Sequence, residues 1–126
     1  LKNLFDVATS EYWETHYRFN KTSGKLKKTF GETAFHNLVI NTIVPMLFVY
    51  GDQHLDQAMK DRALRLLESL PPESNQIIKK WNELGIDSQS AFETQALIQL
   101  KNCYCELKKC LHCQLGAKII TSVNRP

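Results

Sequence analysis

The sequence predicts an all-α fold: a compact orthogonal bundle of about five to seven helices, in one domain spanning residues 1–126. Three observations carry that expectation. Apolar residues recur at helical spacing almost throughout. No Asn-Gly or Asp-Gly hairpin signal occurs, and no strand-type alternation is sustained. The five glycines and four prolines fall mostly at the boundaries of the periodic stretches.

The elements follow in order. Leu4, Val7, Ala8, Trp13 and Tyr17 suggest a first helix or two short ones. Residues 18–31 read as a loop with five cations and no acid: Arg18, Lys21, Lys25, Lys27 and Lys28. From Glu32 to about Tyr50 the chain is apolar on nearly all sides, which marks a central buried helix. Pro45 lies inside it, removes one backbone donor and crowds the carbonyl of Asn41, so a kink or break is expected there. Gly51 is expected to end this helix. The next, about His54 to Leu70, places Leu55, Met59, Leu66, Leu67 and Leu70 on one face. Pro71-Pro72 stops it, and Pro72 suits the first turn of a further helix. That helix carries Ile77, Ile78, Trp81 and Leu84 and closes at Gly85, a left-handed cap. Ser90-Ala-Phe-Glu93 reads as a capping box. The helix it opens sets Phe92, Ala96, Leu100 and Cys103 on one stripe. A last helix, about Cys110 to Val123, uses Leu115, Ile119, Ile120 and Val123, with Gly116 leaving room for a close approach.

Composition narrows the class. Hydrophobic residues make up 43% and charged residues 23%, far from a disordered chain. The net charge of +3 is too mild to argue for nucleic acid by itself. The longest uninterrupted apolar run, Ile43 to Tyr50, is short against the roughly 20 residues a bilayer requires, so no membrane partner is expected. The first residues lack the apolar stretch of a secretory signal. The four cysteines, Cys103, Cys105, Cys110 and Cys113, are clustered rather than spread as a disulfide framework. Together these features predict a cytoplasmic protein. The chain opens on Leu1 in an amphipathic pattern, which reads as the C-terminal part of a longer protein.

The cysteine cluster is the main candidate for chemistry. Cys110 and Cys113 stand three apart and share a face at the start of a helix. Cys105 lies across a short turn, so Cys105, Cys110 and Cys113 can converge as ligands for zinc. A fourth ligand is harder to find: Cys103 is two positions before Cys105 and points elsewhere, and His112 faces away from Cys113 on a regular helix. An iron–sulfur cluster meets the same shortage of a fourth thiolate. Redox chemistry at Cys110-Leu-His-Cys113 would draw on a helix N-terminus, Lys108 and Lys109 to favour the thiolate. It lacks the strand context of thioredoxin-type folds. Small cysteines packing two helix ends remain the plainest reading, and no cofactor is expected.

Other constellations are sparser. The histidines are His16, His36, His54 and His112, with no metal-binding pair spacing. His36 suits a hydrogen-bonded core or boundary position. Glu11, Glu14 and His16 could form an acid–base group, or only an amphipathic helix surface. No catalytic serine elbow, phosphate-binding glycine loop or dinucleotide fingerprint occurs, so no catalytic constellation is assigned. Lys25, Lys27 and Lys28, flanked by Phe19 and Phe30, are the residues that would contact phosphate if the chain binds a nucleic acid strand.

Several stretches resemble a known bacterial family, a domain of unknown function. They are Ile40-Asn-Thr-Ile-Val-Pro-Met-Leu-Phe-Val-Tyr-Gly51, Leu66-Leu-Glu-Ser-Leu-Pro-Pro-Glu73, Trp81 with Leu84-Gly85-Ile86, and Gln95-Ala-Leu-Ile-Gln-Leu100. The most specific is Tyr104-Cys105-x4-Cys110-Leu-x-Cys113-x2-Gly116. The resemblance implies a longer protein with a large region ahead of this one, and it implies no activity. It marks Cys105, Cys110 and Cys113 as the family's cysteines and leaves Cys103 outside. Cys103-x6-Cys110-x2-Cys113 is also similar to the first three ligands of the iron–sulfur loop of helical base-excision DNA glycosylases. The fourth cysteine and the glycine-rich hairpin of those enzymes are missing.

The functional expectation is a helical domain with a structural or interaction role in a larger cytoplasmic bacterial protein. Its partner would be the preceding region of that protein, or a second copy. The alternatives are a nucleic-acid-processing module with a cysteine-ligated metal staple and a thiol redox protein.

Overall fold

The structure, a computed structural model, describes residues 2–5, 7–26 and 28–123. Helices dominate, as the sequence predicts, with one small hairpin as the departure. The chain divides into two compact units, Leu1–Met46 and Leu47–Pro126.

The first unit opens with a 3-10 turn, Lys2–Phe5, and a single helical turn, α1, Glu11–Glu14. A two-stranded antiparallel hairpin follows, β1 (His16–Arg18) and β2 (Lys21–Thr22), where the sequence reads as the end of a first helix, at Tyr17, and the start of a loop, at Arg18. Arg18 pairs with Lys21, so Phe19-Asn20 is the connection. Asn20 takes φ 58°, a left-handed conformation that asparagine tolerates better than most residues. Its N–H donates to the Tyr12 hydroxyl at 3.0 Å. Trp13 meets Phe19 edge-on, with ring centroids 5.0 Å apart. Phe5 lies against Phe30 and Phe35, both at 5.9 Å, and so ties the opening turn to the next helix.

That helix is α2, Glu32–Leu38. It passes through a π-helical turn, Val39–Ile43, into α3, Val44–Gln53. Pro45 therefore does not break the helix. The ladder changes register just ahead of it, and the Val44 N–H donates to the Val39 carbonyl, five residues back. A wider turn at that point relieves the crowding that a proline ring imposes on the preceding turn. Asn41 Nδ2 donates to the Asn37 carbonyl at 3.0 Å, which supplies a donor where the register shifts. Val39, Ile40 and Val44 are buried. The continuous helix Glu32–Gln53 is, among the described residues, the one long and apolar enough to cross a membrane. Counting only uninterrupted apolar residues overlooks it, because His36, Asn37 and Asn41 interrupt the run.

Gly51 does not end this helix. It is buried inside α3, and a Cβ there would come 2.9 Å from the Asp56 carbonyl oxygen. The helix closes instead at Leu55, with φ 54°. Leu55 N–H donates to Asp52 O and Asp56 N–H to Gly51 O, the paired bonds of a Schellman cap. Helix α4, Gln57–Ser69, begins directly, with the Asp56 carboxylate accepting from the Met59 N–H at 3.0 Å.

In the second unit α4 and α5 (Gln76–Glu83) both pack on α6 (Ala91–Leu100). Ala63 and Ala91 are fully buried, and such small side chains allow α4 and α6 to approach closely; Leu67, Ile78 and Thr94 are buried with them. Leu55, expected on the packed face of α4, is 91% exposed because it lies in the cap. Pro72 precedes α5 without entering it, and Asn75 is the cap, accepting from the N–H groups of Ile77 and Ile78. Gly85 takes φ 79° and closes α5 in a second Schellman cap, as expected. Ser90 Oγ accepts from the Glu93 N–H, but the Glu93 carboxylate reaches back to the N–H of Gln89 rather than of Ser90. The buried side of α6 is Ala91 and Thr94; Phe92 and Ala96, expected on the packed stripe, are exposed.

Candidate functional site

The cysteines sit at one end of the second unit, on a scaffold fixed from α6. Thr94 is the buried pivot: its hydroxyl donates to Ala91 O and accepts from the Glu73 N–H. Gln95 Nε2 donates to the Glu73 carboxylate at 2.5 Å. Beyond Leu100 the helix widens into a π-turn, Lys101–Cys105. It closes in a third Schellman cap at Lys108, φ 52°, with Lys109 N–H donating to Tyr104 O and Lys108 N–H to Cys105 O. Cys110–His112 form a 3-10 turn, and α7 is Gln114–Val123. Gly116 makes the close approach expected of it, though to the turn rather than to another helix. A Cβ there would lie 2.5 Å from the Cys110 carbonyl oxygen.

This arrangement divides the cysteines. Cys105, Cys110 and Cys113 line one apolar cavity of about 320 Å3, with Trp81, Tyr104 and Ile119. Cys103 lines a polar groove of about 530 Å3 with Gln99, Lys109 and His112. Tyr104 borders both. All four thiols are free; Cys113 is half-buried and the others are exposed. Among the described residues, no three His, Cys, Asp or Glu side chains are grouped so as to hold a metal ion. The three cysteines of the expected zinc site thus share a cavity without forming a ligand cage.

Of the expected phosphate contacts, Lys25 and Lys28 lie among the described residues, and each has a partner in the first unit. Lys25 Nζ is 3.4 Å from Glu14 Oε2. Lys28 Nζ donates to the His16 carbonyl and stands 3.6 Å over the Tyr17 ring, so it serves the hairpin. Lys27 lies outside the described residues. Glu14 and His16 form no acid–base group. His16 Nδ1 faces the Tyr12 carbonyl at 2.9 Å, with the two rings stacked. His54 repeats the arrangement with Tyr50. His36 is half-buried, as its position in the apolar helix suggested.

The sequence singled out Lys109 only as a cation near the thiols, and Tyr104 and Trp81 only as parts of the family resemblance; that the three line a cavity or groove is visible in the fold alone. Trp81 and Ile86 reach the cavity through the Gly85 cap, since a Schellman motif brings those two positions together.

Fold and site define a mostly helical chain with a cysteine-lined apolar cavity and a polar groove that carries Lys109 and His112. The chain belongs to the family described as "Protein of unknown function (DUF2851)", whose model matches residues 1–76. The match takes in Ile40–Gly51 and Leu66–Glu73 and ends at the first residue of α5. Tyr104–Gly116, with its cysteines, lies beyond it. No curated protein and no solved structure matches the chain.

Proposed function

We propose that the chain is an interaction module that packs one face of its long helix against another region of a larger cytoplasmic bacterial protein. One observation carries this reading. Met46, Val49 and Tyr50 share a face of α3 at helical spacing, and they are 67%, 52% and 52% exposed. An apolar face of that kind, on a helix otherwise rich in core residues, favours docking onto another surface. Protein suits it better than lipid. His36, Asn37, Asn41 and Asp52 lie on the same continuous helix, and such groups are costly in hydrocarbon.

The test is photo-crosslinking in cells, with benzoylphenylalanine in place of Val49 in the natural full-length protein. Adducts within the same polypeptide, to residues outside the sequence described here, support the reading. Adducts only to a second copy, only to lipid, or none at all overturn it.

A further inference from the structure

The cavity and the groove at the cysteine end form two compartments with complementary chemistry. The smaller, about 320 Å3, has an apolar wall. The larger, about 530 Å3, carries Lys109, His112 and Gln99. Among the described residues no carboxylate lines either, and Tyr104 is common to both. The surrounding segment is basic: residues 101–126 contain Lys101, Lys108, Lys109, Lys118 and Arg125 against Glu106 alone. Lys101 pairs with Glu106 at 3.1 Å. Lys108, Lys109 and Lys118 make no ion pair among the described residues. Both volumes fall within or near the range of roughly 300–1,000 Å3 typical of small-molecule sites.

We infer that this end of the second unit binds a small amphipathic anion. Its apolar chain lies in the cavity against Trp81, Ile119 and the three cysteines. Its carboxylate or phosphate lies in the groove at Lys109 and His112, across the edge of Tyr104. The apolar part gains from leaving water, and the head gains from an unpaired ammonium beside a low-dielectric wall. Binding is non-covalent and leaves the thiols free. The site uses none of the α3 face on which the docking reading rests, so either can fail alone.

Decanoate is the probe, titrated into the full chain carrying Trp13→Phe, so that Trp81 is the sole tryptophan. Binding is followed by Trp81 fluorescence and by calorimetry. Saturable binding below the micelle concentration is expected, with decylamine, the same tail on a cation, weaker by about tenfold or more, the scale of one charge-assisted contact. Lys109→Glu should weaken decanoate by a similar factor. So should Ile119→Glu, at a position 62% exposed that the fold tolerates. Lys118→Glu makes the same change in net charge on a residue lining neither compartment and should leave binding unchanged. No saturable binding by either method, equal binding of decylamine, or equal loss from Lys118→Glu and Lys109→Glu would each overturn the inference.

Discussion

Replacing Gly51 with alanine should destabilise the protein, although helix propensity alone predicts the opposite. Gly51 lies within α3, where alanine is favoured over glycine by about 1 kcal/mol. The added methyl carbon would stand 2.9 Å from Asp56 O, 2.9 Å from Lys60 Cγ and 3.0 Å from Lys60 N. The Lys60 side chain can swing aside, since it gives up only an ion pair to a mostly exposed Asp52. The two backbone atoms cannot. Asp56 caps α4 through its carboxylate, and its own N–H is bonded to Gly51 O at 2.7 Å. Relieving the contact therefore means separating the end of α3 from the start of α4. Overpacking of this kind costs about 1–3 kcal/mol, so against the propensity gain the net expectation is a loss of up to about 2 kcal/mol. For a chain of this length that lowers the melting temperature by up to roughly 8 °C. Urea denaturation followed by circular dichroism reads the change. Gly24→Ala, with nothing within 4 Å of the added carbon, is the control and should lie within about 0.5 kcal/mol of the parent. A Gly51→Ala variant more stable than the parent by the full helix-propensity gain of about 1 kcal/mol would refute the close approach of α3 and α4.

The Schellman caps predict opposite signs for opposite substitutions. Leu55→Gly should stabilise by about 0.5–1 kcal/mol, as relief of left-handed strain exceeds the entropy glycine adds to the unfolded chain; a lower melting temperature would count against the cap. Gly85→Ala should destabilise by about 1–2 kcal/mol through backbone strain alone, since its Cβ would meet no atom within 4 Å. Asn75→Ala removes the acceptor for two α5 amides and should cost about 1 kcal/mol, read by the same melts. Elemental analysis of protein purified without added metal should find no near-stoichiometric zinc or iron. Thiol titration of the unfolded, unreduced chain should find four free groups. Stoichiometric metal with protected thiols would restore the staple reading.

The sequence shows a feature when a residue type enforces it and hides the feature when the backbone does so with ordinary residues. Gly85 announced its cap because glycine is the common left-handed residue. Leu55 and Lys108 make the same cap with side chains that bear no such signal. The hairpin turns on Phe19-Asn20 rather than Asn-Gly, so the strongest turn signal is absent. Gly51 looked like a stop because a buried glycine that admits a neighbouring backbone is indistinguishable, in sequence, from one that ends a helix. On α6 a stripe chosen by hydrophobicity selected Phe92, while the packed side is built on Ala91 and Thr94, small residues that allow close approach. The cysteines were partly legible. Spacing alone separated Cys103 and His112 from the other three thiols, but only the fold places both of them in one groove with Lys109.

The two Tyr-x3-His pairs were not legible, and they carry a further expectation. His16 and His54 each place Nδ1 2.9 Å from the carbonyl of the tyrosine four residues earlier. Their rings stack on those tyrosines, with centroids 4.0 and 4.1 Å apart. A carbonyl oxygen only accepts, so Nδ1 of His54 must carry the hydrogen, whereas His16 Nδ1 also lies 3.0 Å from Thr15 Oγ1, a hydroxyl that can donate to it. The neutral His54 ring then has its lone pair on Nε2. Ring nitrogen shifts at neutral pH should show the Nδ1–H tautomer for His54. His112, which lines the open groove with no protein hydrogen bond to its ring among the described residues, should favour the form that predominates in water. If His54 gave the same tautomer signature as His112, its Nδ1 would not be bonded to the Tyr50 carbonyl, and the helix end at His54 would need another account.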